Sequence, residues 1–420
     1  MRKIASILFL ALGIGAMYCQ TSREELNENI NKAGGVYYAY PTTVAENTAA
    51  PKGYEPFYIS HYGRHGSRYL ISDKDYKWVL ELLEKGDKQN ALTALGEDVL
   101  GRVREVWKEA EGHGGDLSPL GVRQHRGIAE RMAAAYPQVF KGNTKISARS
   151  TVVIRCVLSM DAFCERLKEI NPNLQITRES SNRYMKYLNY HSKESGDFTG
   201  DKGPWREEYR KFEADKVHGE RLAETIFADK DFIRKNVNLA DFMWGMYWIA
   251  VGMQDIETPV SFYDIFTNDE LINLWECVNY RFYVCDSNYA GNNGIVVANA
   301  KNLLRNIIEN ADAAITSNEN GATLRFGHDG NILPLAAILR FENCYNSVME
   351  PEKFMEAFSD FKIAPMAANI QLVFFRNKKT NDVIVKFLHN EKEVRIPVET
   401  DMWPYYKWEK VRSFYEEILQ

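Results

Sequence analysis

Apolar and polar residues follow two different rhythms along this chain, and the switches between them mark its elements. Residues 56–62, Pro-Phe-Tyr-Ile-Ser-His-Tyr, form a mostly apolar run closed by Gly63, which predicts a buried strand. Residues 22–33 before it are polar with helical spacing, and residues 37–52 are irregular. Beyond it, residues 80–83 and 99–107 belong to helical patterns on either side of a loop-like stretch at 85–93. Ser118-Pro119 predicts a helix start, with Ser118 as N-cap, Pro119 at the first helical position and the helix continuing through Met132. Residues 145–148 read as a short strand, and residues 151–170 as an amphipathic helix that stops before Asn171-Pro172.

Strand, loop and helix thus recur, an alternation that predicts parallel strands with ligands gathering at their carboxyl ends. From about residue 180 to residue 317 aromatic-rich helical segments dominate, at 205–227, 239–253, 268–281 and 298–314. Strand character returns at 322–326, 370–376 and 383–388, the last two flanking a hairpin turn at 378–381. The predicted fold is α/β: a three-layer core with a mainly parallel sheet flanked by helices, plus a mostly α-helical cap inserted in the chain. The corresponding division is a leader at 1–20, core at 21–179, cap at 180–317 and the second part of the core at 318–420.

Composition adds size and compartment. The 420 residues, 45% hydrophobic and 26% charged, suffice to bury a large core. Arg2-Lys3, the apolar residues 4–16 and the polar Gln20 have the layout of a secretory signal peptide, so residues 1–20 are set apart and the protein is expected to be exported, periplasmic or secreted. Cys19 leaves a lipid anchor at the outer membrane open as the alternative, although bulky Tyr18 stands where a lipobox carries a small residue. No later window approaches the roughly 18 apolar residues of a membrane span; residues 242–253 fall short.

Removing residues 1–20 moves the formal charge from −5 to −7, because two basic and no acidic side chains leave with them. That balance disfavours a nucleic-acid partner, and an anionic ligand would have to be drawn by a local cluster of cations. Five cysteines remain, Cys156, Cys164, Cys277, Cys285 and Cys344, so at least one is unpaired within the chain. Cys156 and Cys164 lie about 12 Å apart along one predicted helix, too far to bridge each other. Buried thiols are expected, with room for one disulfide in an oxidising compartment.

Three clusters carry candidate chemistry. Arg64-His65-Gly66-Ser67-Arg68 follows the first strand, where Gly66 lets the backbone turn and two guanidinium groups and an imidazole can converge on a tetrahedral dianion. A neutral His65 beside such cations, its pKa lowered by them, can attack phosphorus. His328-Asp329 follows the strand at 322–326; His328 can donate to a phosphate oxygen, and Asp329 can protonate a leaving alkoxide or serve as a helix N-cap. Arg149 sits at a strand-to-helix junction, where a cation opposes the helix dipole unless an anion is near, and otherwise reads as a surface arginine.

In this order the motifs resemble the histidine acid phosphatase branch of the histidine phosphatase superfamily, the group that includes phytases and multiple inositol polyphosphate phosphatases. Arg64 to Arg68 resembles that family's RHGxR loop, and Leu117-Ser-Pro-Leu-Gly121 with Gln124 resembles its LTPLGxxQ segment. The resemblance implies His65 as nucleophile, Arg64, Arg68, Arg149 and His328 as phosphate clamp, Asp329 as proton donor, an α/β core with a helical cap, and no metal or other cofactor. His328-Asp329-Gly330 departs from the HAE of many inositol polyphosphate members, which leaves the substrate open but not the reaction.

The expected partner is a small phosphorylated substrate. Among the cations of the cap and its edge, Arg178, Arg183, Lys186, Arg206, Arg210 and Lys211, the pair Arg183 and Lys186 is preferred for contacts to further phosphates, being three apart on one helical face. The remaining histidines show no metal-ligand pattern, and His61, on the first strand, reads as core packing or as pocket lining. Two other functions fit the same residues: a phosphomutase, and an exported protein that binds phosphorylated ligands without turnover.

Overall fold

A mixed sheet organises the molecule, seen here in a computed structural model that describes residues 22–41 and 46–420. The expected leader, with Cys19, lies outside the described residues. β1 (Tyr54–Arg64), β2 (Lys145–Ser150), β3 (Gln175–Ser180) and β4 (Gly321–Gly327) run parallel in the order β3-β2-β4-β1. β5 (Asn369–Asn377) and β6 (Val383–His389) extend the sheet antiparallel beyond β1, and the short β7 (Lys392–Glu393) and β8 (Tyr405–Lys407) both pair with β6. The four parallel strands alternate with helices, three of them, β1, β2 and β4, where the sequence rhythm predicts strands.

The helices of ten or more residues are α1 (Asp73–Lys88), α2 (Ala94–Ala110), α3 (Pro119–Ala135), α4 (Ile154–Ile170), α5 (Arg206–Lys216), α6 (Leu239–Gly252), α7 (Asn268–Asp286), α8 (Lys301–Ser317), α9 (Asp329–Ile338) and α10 (Trp408–Leu419). Strand side chains alternate between faces, so β1 sends Ile59 to one side and Tyr58 and Tyr62 to the other. Ile59 meets Ile128 of α3 and Phe163 of α4 in one buried cluster. Tyr58 and Tyr62 share a second with Leu303 of α8, Leu333 of α9 and Tyr415 of α10. A third cluster is mostly helical and includes Val79 of α1, Val103 of α2, Phe242 of α6 and Trp275 of α7. Each side chain so buried contributes about 1.5–3 kcal/mol relative to exposure.

Ser118 caps α3 with its hydroxyl on the Gly121 amide, and Pro119 occupies the first turn, as the sequence predicts. The loop expected at 85–93 is shorter: α1 continues through Lys88, because Gly86 lets the helix approach Leu92 and Phe227 at a distance where a Cβ would lie 2.9 Å and 3.0 Å from their side chains. β3 carried no strand signal. It is a mostly exposed edge strand without apolar alternation. The five cysteines of the described residues are free thiols, so the disulfide left open above does not form. Among the described residues no helix is long and apolar enough to cross a membrane.

Candidate active site

β1 and β4 pair in parallel with Arg64 opposite Gly327, so the strand ends bring His65 and His328 together from distant parts of the chain. The His65 amide donates to the Gly327 carbonyl at 2.9 Å, and the two imidazoles stand 5.8 Å apart, centroid to centroid. Two glycines let the loop after His65 come close to α3. A Cβ on Gly66 would lie 2.5 Å from the Gly121 carbonyl oxygen and 2.6 Å from its Cα, so this loop and the first turn of α3 touch backbone to backbone.

The LSPLGxxQ segment is the support for that loop. Gln124 accepts from the Ser67 amide and donates to the Ser67 hydroxyl, both at 2.8 Å, while Ser118 donates to the Ser67 carbonyl. The Ser67 hydroxyl in turn donates to Asp255 at 2.6 Å. Burial pushes the Asp255 carboxyl up to about 7 against the opposing pull of Ser67, Arg68 and Arg64.

His65 is 2% exposed. Its Nδ1 lies 2.9 Å from the Gly66 carbonyl. A carbonyl only accepts, so Nδ1 carries the proton and the lone pair sits on Nε2. Burial, and then the charges of Arg64, Arg68 and Arg155, hold the imidazole pKa well below its ordinary value, which keeps it neutral. Arg64 is wholly buried; it donates to the carbonyls of Val36 and Ala364 and to Asp329 Oδ2, the last at 2.9 Å. Arg68 donates to the Tyr69 carbonyl and the Tyr37 hydroxyl and stacks on the Tyr37 ring.

His328 and Asp329 begin α9. His328 Nε2 lies 3.2 Å from the Thr151 hydroxyl, and burial, with Arg155 and Arg64 adding to it, lowers its pKa to about 4 despite the neighbouring Asp329. Asp329 Oδ1 accepts from the Gly330 amide. Burial raises the Asp329 pKa, but Arg64, His328 and Arg68 outweigh it and hold the carboxyl below the usual range.

Arg149 is not part of this group. It lies on β2 in register with Arg325, which pairs with Tyr62, two residues short of the Arg64 level. Its Nε donates to Glu179 at 2.9 Å and its Nη1 to the Tyr187 hydroxyl at 3.2 Å. Arg183 and Lys186 line a cavity with Arg149, and His65, Arg64, Arg68, His328 and Asp329 are not among its lining residues. A cation that does stand by the group is Arg155, in the first turn of α4, whose charge acts on both His65 and His328 and whose buried Nε has no hydrogen-bond partner among the described residues. β2 runs on to Ser150 and the helix starts at Ile154, so the cation at this helix N-terminus is Arg155 and not Arg149.

His61 is core. It packs between Phe163 and Phe326 at 5.2 Å and 5.3 Å. Among the described residues no three His, Cys, Asp or Glu side chains gather as metal ligands.

A family model described as the histidine phosphatase superfamily (branch 2) matches residues 63–390. No curated protein matches the chain in sequence. Among solved structures, the multiple inositol polyphosphate phosphatase of Bifidobacterium longum in complex with inositol hexasulfate is 18% identical, with a TM-score of 0.76 over 91% of this chain and 97% of that one. The phytase of D. castellii is 18% identical, with a TM-score of 0.69 over 93% and 85% of the two chains. The apo phytase of Hafnia alvei is 14% identical, with a TM-score of 0.53 over 89% and 98%. At these identities the likeness is one of fold.

Proposed function

The chain belongs to branch 2 of the histidine phosphatase superfamily and is a phosphatase, and from that premise we propose that it hydrolyses phosphomonoesters through a phosphohistidine formed on His65. The observation that carries the proposal is the neutral His65 imidazole, its Nδ1 proton held by the Gly66 carbonyl and its Nε2 lone pair free beside three arginines.

Arg64, Arg68, Arg155 and His328 bind the phosphate oxygens and stabilise the charge that builds on them in the transition state. Nε2 attacks phosphorus and the ester P–O bond breaks. Asp329 gives its proton to the departing alkoxide, then takes one from the water that attacks the phosphohistidine and releases inorganic phosphate. A phosphate dianion draws on Arg64, which now neutralises Asp329, and adds negative charge beside the carboxyl. Both effects raise the Asp329 pKa, so substrate binding readies the proton donor.

The substrate class follows from the same reading: small organic phosphates, with inositol polyphosphates first among them, the class named for the B. longum enzyme. The leader at residues 1–20 assigns the reaction to an exported protein, cleaved or lipidated at Cys19, which the mass of the mature chain distinguishes.

His65→Ala, assayed by free-phosphate release from p-nitrophenyl phosphate, sugar phosphates and inositol hexakisphosphate, tests the mechanism. Loss of release from every ester is expected. Substantial release from any of them by this variant would overturn the phosphohistidine.

A further inference from the structure

Between β2, the 182–187 segment and α8 lies a cavity of about 570 Å³ that shares none of its lining residues with the His65 group. Four cations line it, Arg149, Arg183, Lys186 and Arg305, against one carboxylate, Glu309. In a chain with a formal charge of −5, such a concentration is not a product of composition. Glu179 pairs with Arg149. The side chains of Arg183 and Lys186 make no hydrogen bond or ion pair among the described residues, and Arg305 donates only to the neutral oxygens of Asn302 and Leu419.

A second observation stands behind the cavity wall. Arg325 is 0% exposed, yet its partners are the Asn306 side chain and carbonyl and the Ser60 and Tyr58 hydroxyls, with no carboxylate among them. A buried guanidinium without a counter-ion is costly unless negative charge stands nearby. Asn306 lines the cavity on its other side, and the charge of Arg149 adds to that of Arg325. Positive charge without a carboxylate partner therefore stands on both sides of the wall, at Arg325 in the core and at Arg183, Lys186 and Arg305 around the open volume.

We propose that this cavity is a second anion site, separate from the His65 group, that takes a small organic polyphosphate. The cations come from three different elements around a volume in the range of drug-sized ligands, far larger than a lone phosphate, with Arg149 held in place over the Tyr184 ring and against the Tyr187 hydroxyl. Several phosphates on one ring reach cations that a single phosphate cannot reach together. The site depends on no step of the catalysis at His65, and its test is a binding measurement.

The full chain is titrated calorimetrically with myo-inositol hexakissulfate. Two binding events per chain are expected. In Arg183→Gln/Lys186→Gln, two exposed side chains without partners, one event weakens by about tenfold, the loss expected for two exposed charge contacts. Hydrolysis of p-nitrophenyl phosphate stays within about twofold, and Glu309→Gln tightens the same event by about threefold, as removal of one repulsive charge predicts. Inorganic phosphate at matched concentration leaves this event in place. A single event in the wild type, the same two affinities in the double variant, or displacement by inorganic phosphate overturns the proposal. So does a joint loss of this event and of p-nitrophenyl phosphate turnover, which would make the cavity part of the catalytic site.

Discussion

Arg64 donates to Asp329 at 2.9 Å, tying the last residue of β1 to the first residue of α9 across 265 positions of chain. In the free site this contact helps keep Asp329 ionised, and in the mechanism proposed above a bound dianion loosens it and so returns a proton to the carboxyl. Asp329→Asn should lower kcat for alkyl phosphates by about 10²–10³ and for p-nitrophenyl phosphate by much less, since an activated phenolate leaves without help. In the wild type, kcat should fall as pH rises through the raised Asp329 pKa of the complex. Asp329→Asn should lose that limb. Equal losses across a leaving-group series, or an unchanged limb, would assign the proton to another group.

Arg155 and Arg149 separate by which element carries them. Arg155→Ala should cut kcat/KM for p-nitrophenyl phosphate by about 10²–10³, the loss typical of one preorganised donor at a developing charge. Arg149→Ala, which breaks contacts to Glu179 and Tyr187 instead, should change it by less than about threefold. Steady-state kinetics on the two variants decide, and the reverse ranking would return the clamp to β2.

Much of this arrangement was legible in the residue pattern. β1, β4, β5 and β6 stand where mostly apolar runs predict strands, because a strand buried on both faces must be largely apolar, while β2 alternates buried Ile146 and Ala148 with less buried neighbours. His65 and His328-Asp329 were legible because each follows such a strand, and parallel strands bring their carboxyl ends together. Arg149 was misassigned for want of two residues of strand: β2 runs on to Ser150, and the period-two alternation turns Arg149 toward the face of Tyr187. Asp255 carried no signal at all, since its place under Ser67 follows from long-range packing between α3 and the end of α6. The partners of α1 and α2 were equally hidden. An amphipathic helix declares its apolar face, not the helix it meets: α1 meets α6, and α2 meets the short helix Glu220–Ile226.

Gly66 tests how closely the loop is held. A Cβ there meets the backbone of Gly121, which cannot swing aside as a side chain would. Gly66→Ala should therefore displace His65 and lower kcat by about 10², the loss associated with an ångström of misplacement in a reacting group. KM for p-nitrophenyl phosphate should change less than kcat. Full activity in this variant would mean that the loop and α3 part easily.

His61 offers a test of stability that activity cannot give. It is 1% exposed, packed between two phenylalanines, and neither ring nitrogen has a hydrogen-bond partner among the described residues. Burial, with His125 and Arg325 adding to it, lowers its pKa to about 3. Above the unfolded value of about 6.5 both states are neutral, and the histidine is indifferent to pH. Below it the unfolded chain takes up a proton that the folded one refuses, so stability falls by about 1.4 kcal/mol per pH unit down to the folded pKa. The buried carboxyls of Asp255, Asp286 and Asp360, raised to about 7, act in the opposite sense: as pH falls below 7 the folded chain gains the proton first, and stability rises. The wild-type dependence on pH is thus a difference of opposed contributions, and only a variant isolates one of them. His61→Phe keeps the ring contacts and removes the proton uptake. Relative to wild type, its urea-unfolding free energy should rise by about 2–3 kcal/mol between pH 7 and pH 4.5, from two units of the slope above. Parallel curves for the two proteins would mean that His61 is protonated as readily in the folded chain as in the unfolded one.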